Sequence, residues 1–254
     1  MIRLVWKGTL LQFKILSRSA FDMLNVTFWP LVFATIAYYL FHEGNQSKSL
    51  FEASLGATVM TMWATVGVGA SGAIQWQRRL GTLELLLGAP TPFIVLLAPL
   101  TISFAAIGIY SLAATLLWGR LLFGMEIDLV HPLLFVVSLP AAIFAIGMLG
   151  LLVASVFVLY RAGAHLGNSL EYPFWLVTGL LIPLTLLPGW VTPISWLLAP
   201  TWGMRALRES AIGGDPLAAI GMCVAISAVY AVLAVYFLRY FERLARDKAS
   251  FTVS

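Results

Sequence analysis

Long apolar stretches follow one another along the chain, separated by short polar segments. Five of them are long enough to predict helices that cross a membrane, at about residues 23–41, 50–74, 93–118, 132–160 and 216–238. Such a helix needs about 20 predominantly apolar residues, because the hydrocarbon core of a bilayer is about 30 Å thick. The pattern therefore predicts an all-α membrane protein.

A sixth apolar stretch covers residues 172–200, but prolines interrupt it. They are Pro173, Pro183, Pro188, Pro193 and Pro200. Proline removes a backbone hydrogen-bond donor and clashes with the preceding helical turn, so one continuous helix is not expected. We predict a fifth span over residues 172–187 and a re-entrant helical segment over residues 188–208 on the extracellular side. The chain then forms one domain, residues 1–254, with six transmembrane helices.

The first 21 residues precede the first span and follow a different pattern. Their basic residues are spaced 4, 7 and 4 apart, which places them within about 60° of one another around a helix. These residues are Arg3, Lys7, Lys14 and Arg18. Apolar residues occupy the other faces. The pattern predicts an amphipathic helix over residues 1–21 at the cytoplasmic membrane surface, with a solvated basic leader as the alternative.

Basic residues are distributed unequally between the two sides that six spans define. Eleven lie in residues 1–21, 75–92, 161–171 and 239–254, which share one side. Four lie on the other side, namely Lys48, Arg120, Arg205 and Arg208. Because Lys and Arg are enriched in cytoplasmic loops, we expect a multi-pass protein of the cell (inner) membrane with both termini in the cytoplasm.

Composition agrees with a membrane location and narrows the chemistry. Hydrophobic residues make up 61% of the 254 residues and charged residues 10%, whereas soluble domains average about 45–50% and about 25%. The net charge of +4 is therefore expected to face anionic lipid rather than nucleic acid. The single cysteine, Cys223, excludes an internal disulfide.

The sequence offers no pattern typical of a catalytic or metal site. The three histidines, His42, His131 and His165, fall in different predicted loops. Residues 44–49 depart from the nucleotide-binding loop pattern, since His42 and Ser47 stand where it requires glycine. Ion-coupled transporters place charged residues inside their spans, whereas here every Asp, Glu, Lys and Arg lies in a predicted loop or, like Glu52, near the end of a predicted span. We expect a chain that is not an enzyme, holds no cofactor or metal, and receives energy from elsewhere.

Residues 75–92, between the second and third predicted spans, carry the most specific motif. The segment resembles the cytoplasmic loop of type-2 ATP-binding-cassette (ABC) exporter permeases, in which charged residues precede Gly-Thr-Leu-Glu and a proline follows. The matching residues are Arg78, Arg79, Gly81, Thr82, Leu83, Glu84 and Pro90. A second similarity is the series of prolines and a tryptophan after the fifth span, which ends in Ala-Leu-Arg. Its residues are Pro188, Pro193, Trp196, Pro200, Ala206, Leu207 and Arg208.

The resemblance implies that residues 75–92 contain a coupling helix that docks on a separate ABC ATPase subunit. ATP and Mg would then bind to that partner. The expected coupling residues are Arg78, Arg79, Gly81, Thr82 and Glu84. Their charged side chains suit charge-assisted contacts with a partner. An ordinary polar turn is the alternative.

The resemblance also implies a second permease chain, either identical or similar. In this family the second and fifth spans face the partner. The second span offers candidate pathway-lining residues, which are Thr58, Thr61, Met62 and Thr65; tight packing of small residues is the alternative. The segment 188–208 would close the outer end of the pathway, unless it is only a structural cap. Its expected extracellular gate residues are Pro188, Trp190, Pro193 and Trp196.

These expectations combine into one hypothesis. The chain is the transmembrane subunit of an ATP-driven exporter for an amphipathic or hydrophobic substrate, foremost a drug or antibiotic. Export of a lipid or a lipid-linked polysaccharide is the alternative within the same class. A membrane scaffold or assembly protein that transports nothing is the alternative from another class. The expected partners are an ABC ATPase, a second permease chain and membrane lipids.

Overall fold

The computed structural model describes residues 2–18, 20, 23–24, 27–28, 31–32, 35–36, 39, 51, 54–64, 66, 94–124, 129–157, 173–180, 184 and 187–251. Its continuous helices are α1 (Ile2–Arg18), α2 (Ile94–Phe123), α3 (Pro132–Phe157), α4 (Val191–Trp196), α5 (Ala199–Ile212) and α6 (Pro216–Phe251). Residues 54–64 and 173–177 are also helical. Throughout these ranges the regular secondary structure is helical, which confirms the all-α prediction for the part of the chain that is described.

Three of the described helices are long and apolar enough to cross a membrane. The candidate spans are Leu97–Leu122 in α2, Pro132–Ser155 in α3 and Pro216–Tyr240 in α6. They correspond to the third, fourth and sixth predicted spans. Since α2 continues to Phe123, Arg120 lies in its last turn and not in a loop. The other three predicted spans include residues outside the described ranges, so the number six stays a prediction.

α1 lies along the beginning of α2. Gly8 permits the close approach, because a Cβ atom at this position would come within 3.0 Å of Pro99 Cγ. The hydroxyl of Ser103 donates a hydrogen bond to the carbonyl of Thr9 at 3.0 Å. The basic residues of α1 are exposed, and so are Trp6 and other apolar residues. The predicted amphipathic helix is therefore present, while its position at the membrane surface stays a prediction.

Glycines also bring the second predicted span against its neighbours. Gly108 on α2 faces Met62, and a Cβ atom there would overlap the Met62 side chain. Gly150 on α3 faces Val66 in the same way. Small residues at such crossings allow apolar helices to approach closely within a membrane. The middle of α3 adds many of the buried side chains, so the core lies where α3 meets its neighbours.

α5 and α6 form an antiparallel hairpin. Residues 213–214 make the turn, and their φ angles of 110° and 153° favour glycine. Gly203 on α5 lies beside Cys223 on α6, with its Cβ position 3.6 Å from the sulfur. Farther from the turn, the hydroxyl of Tyr230 donates a hydrogen bond to the carbonyl of Leu197 at 2.6 Å. The two helices therefore run side by side over the full length of α5.

The contacts within this hairpin show how far α5 extends alongside the candidate span in α6. Tyr230 lies roughly 21 Å along α6 from Pro216, because each helical residue adds about 1.5 Å. α5 also packs closely on α3, since a Cβ atom at Gly203 would lie 3.0 Å from Ala142 Cα. Near the other end of α5, the amide of His131 donates to the carbonyl of Ser210 at 2.9 Å. α5 thus packs against the candidate spans in both α3 and α6.

Candidate functional site

A cavity of about 290 Å³ lies between α5, the end of α4 and the turn that follows the helix 173–177. Its apolar lining comes from Leu184, Met204, Trp196 and Trp202. Trp202 is held in place because its Nε1 donates a hydrogen bond to the carbonyl of Trp196 at 2.9 Å. Small-molecule pockets typically begin near this volume and combine apolar walls with a few polar groups.

Most of the polar lining comes from one face of α5, where Thr201, Arg205, Arg208 and Glu209 follow one another at helical spacing. Arg205 Nε donates to Glu209 Oε1 at 2.6 Å, and the Arg205 guanidinium lies 5.4 Å from the centroid of the Trp202 ring. Two arginines and one glutamate give the lining a net charge of +1.

The lining includes polar atoms that are buried without a hydrogen-bond partner among the described residues. Thr201 Oγ1 and Glu209 Oε2 are among them. Thr201 as a whole is only 5% exposed. Leaving a buried polar group unsatisfied costs about 1–3 kcal/mol. The arrangement is therefore suited to a ligand that supplies one partner to each atom.

α4 is tied to the helix that precedes the pocket. The hydroxyl of Ser195 donates a hydrogen bond to the carbonyl of Val177, and it also lies 3.0 Å from the carbonyl of Val191. The hydroxyl of Thr178 donates to the carbonyl of Phe174 at 2.7 Å. The bond from Ser195 to Val177 joins α4 to the end of the helix 173–177, so both walls belong to one packed unit.

The predicted gate residues lie at the surface of this unit. Pro188, Trp190, Pro193 and Trp196 are all exposed, with Trp190 at 68% and Trp196 at 56%. Of these four residues, Trp196 lines the cavity. The structure therefore places the predicted gate next to the pocket and brings one of its members into it.

The predicted pathway residues of the second span are buried within the single chain. Thr58, Thr61 and Met62 are at most 2% exposed, and Thr65 lies outside the described residues. The hydroxyls of Thr58 and Thr61 donate to the carbonyls of Ser54 and Ala57, both at 2.9 Å. In one copy of the chain these side chains pack against neighbouring helices, and they stand apart from the pocket lining.

The second span nevertheless contacts the helix that leads to the pocket. Trp63 stacks on Phe174, with 3.8 Å between the ring centroids and 17° between the ring planes. A Cβ atom at Gly56 would overlap the carbonyl oxygen of Leu180. The second span and the helix 173–177 therefore pack directly on each other.

The predicted coupling residues lie outside the described residues. They are Arg78, Arg79, Gly81, Thr82 and Glu84. The structure does describe α2, which begins at Ile94 immediately after that segment, and the helix α1 that packs on it.

Reasoning from the sequence missed the polar face of α5. It placed Arg205 and Arg208 in an outer loop, and it gave no role to Thr201 or Glu209. The available signal was their spacing, because residues four, seven and eight positions after Thr201 share one face of a helix. The Gly-Gly turn at residues 213–214, which returns the chain alongside α5, could also have been noticed.

Comparison with known families identifies most of the chain. A family model described as ABC-2 type transporter matches residues 1–212. This range begins with α1 and ends with the last residue of α5, so it contains every residue that lines the cavity. A comparison with individually curated proteins gives no significant match.

Proposed function

Since the chain belongs to the ABC-2 type transporter family and is a transmembrane subunit of an ABC transporter, we propose that it forms the translocation pathway of an exporter. The cargo is an amphipathic or hydrophobic molecule, foremost a drug or antibiotic. A separate ABC ATPase subunit binds ATP and Mg and drives the transport. A second permease chain, identical or similar, completes the pathway in the cell membrane, with the termini of both chains in the cytoplasm.

The family match over residues 1–212 carries this proposal. The match includes the segment 75–92 with its Gly-Thr-Leu-Glu motif, and it includes the candidate spans in α2 and α3. A membrane scaffold would not require a loop of this sequence between two spans. The family therefore favours transport over the scaffold alternative.

The contact between α1 and α2 supports the proposal that movement of the ATPase is transmitted through the first turns of α2. The segment 75–92 leads directly into α2, and Gly8 of α1 packs against Pro99 in the second turn of that helix. A displacement of the loop by the ATPase would therefore move α1 together with α2, because close-packed helices resist separation. Arg78, Arg79 and Glu84 supply the contacts to the ATPase in this proposal.

The hairpin of α5 and α6 supports a re-entrant placement of α4 and α5. Leu197 meets Tyr230 well inside the candidate span Pro216–Tyr240. Irregular backbone at membrane depth is tolerated where protein covers it, and α3 and α6 cover α5 here. Trp190 and Trp196 then close the outer part of the pathway.

The pocket favours a lipid or a lipid-linked polysaccharide as the second candidate cargo. Its lining combines charged groups on α5 with two tryptophans, which suits a molecule with a polar head and an apolar body. A largely apolar drug would offer no hydrogen bond to Thr201 Oγ1 or Glu209 Oε2, which have no partner among the described residues. The pocket therefore supports lipid export as the second candidate function, after drug export.

The test is ATP hydrolysis by the complex of this chain with its ATPase, reconstituted in membranes with and without candidate cargo. We expect Glu84→Ala, and Arg78→Ala combined with Arg79→Ala, to insert normally. Both should lower the stimulation of hydrolysis by cargo about fivefold or more, because coupling between two sites is typically worth a factor of 5–150.

The control is Arg239→Ala, which removes an exposed basic residue from α6 on the side assigned to the cytoplasm. Its stimulation should match that of the unaltered chain. Unchanged stimulation in the Glu84 and Arg78 variants would reject the coupling role of the loop. A complex that hydrolyses ATP at one constant rate with every cargo tested would favour the scaffold alternative.

A further inference from the structure

We propose that the pocket beside α5 binds the head group of an aminophospholipid from the outer leaflet, with the phosphate at the two arginines and the amine at Glu209. Binding of such a lipid goes beyond the proposed transport function. It rests on the proposed re-entrant placement of α4 and α5.

The polarity of the pocket changes along α5. Trp196 and Trp202 lie at the end near Leu197, which meets α6 far from the hairpin turn. Arg208 and Glu209 lie at the other end, next to the turn at residues 213–214. A lipid of the outer leaflet has the same order, because its acyl chains lie deepest and its head group points outward.

The arginines suit the phosphate of the lipid. Arginine presents a planar set of N–H donors that binds phosphate oxygens in pairs. Arg205 keeps donors for a ligand, because its Nε bonds Glu209 and its side chain is 54% exposed. Arg208 brings the second positive charge into the same cavity. Together they outweigh the single carboxylate of Glu209, so the cavity attracts an acidic group.

Glu209 suits the amine of the lipid. Its Oε1 accepts from Arg205, while its Oε2 is buried without a partner in the described part of the chain. A primary ammonium donates up to three hydrogen bonds and can therefore satisfy this oxygen. A quaternary ammonium has no N–H group and cannot do so. The cavity should consequently prefer an ethanolamine or serine head group to choline.

Thr201 suits the part of the lipid below the phosphate. It lies eight positions before Glu209, about 12 Å along the helix and toward the tryptophans. Its buried Oγ1 has no partner among the described residues, and a hydroxyl can donate to an ester carbonyl. The three polar positions therefore follow the order of ester, phosphate and amine in one molecule.

The size of the cavity fits a head group and excludes a whole lipid. A volume of about 290 Å³ is at the low end for small-molecule pockets. The acyl chains would have to lie outside it, over exposed apolar side chains near the deep end. Leu197 at 71% and Trp196 at 56% offer such a surface.

The experiment measures lipid binding to the purified full chain by native mass spectrometry, with lipids of identical acyl chains. Phosphatidylethanolamine should remain bound at concentrations where phosphatidylcholine does not. Glu209→Gln should weaken phosphatidylethanolamine binding about tenfold, since a hydrogen bond between charged groups is lost. The same variant should not weaken phosphatidylglycerol binding, because that acidic lipid carries no amine and the pocket loses a negative charge.

Thr201→Val is the second variant, because it removes only the hydroxyl and keeps the shape of the side chain. It should weaken all three lipids by a similar, smaller factor. Asp215→Asn is the control, as it neutralises an acid in the turn beside α5 that lies outside the pocket lining. Free phosphoethanolamine, which has the head group without chains, should bind far more weakly than the lipid.

Three results would overturn the proposal. Equal retention of choline and ethanolamine lipids would remove the role of Glu209. Equal loss of phosphatidylethanolamine in Asp215→Asn and Glu209→Gln would show general charge attraction. Binding of free phosphoethanolamine as tight as that of the lipid would identify a soluble ligand instead.

The placement on which the proposal rests is tested separately. In a Cys223→Ala background, Leu197→Cys should resist a membrane-impermeant thiol reagent applied from outside to the protein in lipid, whereas Asp215→Cys should react. Rapid labelling of Leu197→Cys would reject the re-entrant placement. Neither measurement involves the ATPase, so failure here leaves the coupling test of the exporter proposal intact.

Discussion

The contact between α1 and α2 keeps its charges outside, whereas the pocket beside α5 encloses them. At the first site, a glycine and a proline pack directly, and the basic residues of α1 point away from the contact. At the second, the Arg205–Glu209 ion pair shares a cavity with two tryptophans and with Thr201 Oγ1, which has no partner among the described residues. The first arrangement is suited to transmitting movement between helices, and the second is suited to binding a ligand.

The helix crossing that supports the pocket should be the most sensitive point. Gly203→Val places a Cβ atom about 3.0 Å from the backbone of Ala142, and backbone cannot yield as a side chain can. We expect the free energy of unfolding to fall by about 1–3 kcal/mol. Thermal unfolding of the purified chain measures this.

Gly221→Val is the matched control for that substitution. A Cβ atom at Gly221 meets nothing within 4 Å, so the same change should leave stability nearly unaltered. Equal destabilisation by both variants would mean that loss of glycine itself, and not the crossing of α3 and α5, decides the result.

A substitution at the α1–α2 contact should lower stability less than Gly203→Val does, but it should impair coupling to the ATPase more. Gly8→Val forces α1 away from Pro99, which one side chain can partly accommodate, so we expect a loss of about 1–2 kcal/mol. Stimulation of ATP hydrolysis by cargo should fall with it. The exposed Leu10, changed to Val, should alter neither quantity. Full stimulation in Gly8→Val would limit α1 to a structural role.

The ion pair at the pocket should contribute least to stability. Arg205→Gln removes the bond to Glu209, yet the Arg205 side chain is 54% exposed, and exposed pairs are worth about 0–1 kcal/mol. We therefore expect a small change in thermal unfolding together with weaker binding of acidic lipids. Arg205→Lys keeps the charge and should restore part of that binding. A large loss of stability would instead make the pair a structural element.

Several elements were predictable because they follow from local patterns. The apolar stretches that became α2, α3 and α6 are long enough to define spans without knowledge of their neighbours. α1 was predictable from the spacing of its basic residues, which the helical repeat places on one side. The Gly-Thr-Leu-Glu motif led to the family that the match over residues 1–212 shows.

The pocket was not predictable in this way. Arg205 and Arg208 follow a proline-rich segment, and in the sequence they look like residues of an outer loop. Only the turn at residues 213–214 and the bond from Tyr230 to Leu197 show that they lie beside a span. For Thr58 and Thr61 the sequence suggested the opposite arrangement. Their spacing suggested a face that lines a pathway, whereas in the single chain both side chains are buried.

The sequence by itself determined that this chain is helical, apolar and a member of a transporter family, because hydrophobic length and a local motif do not depend on what packs against them. The tertiary structure alone decided which side chains share the cavity beside α5. That cavity forms from segments on three sides, and the depth of each is set by glycine contacts and by hydrogen bonds between residues distant in the chain. The positions of these segments relative to one another depend on helix packing, so they cannot be read from any single stretch of sequence.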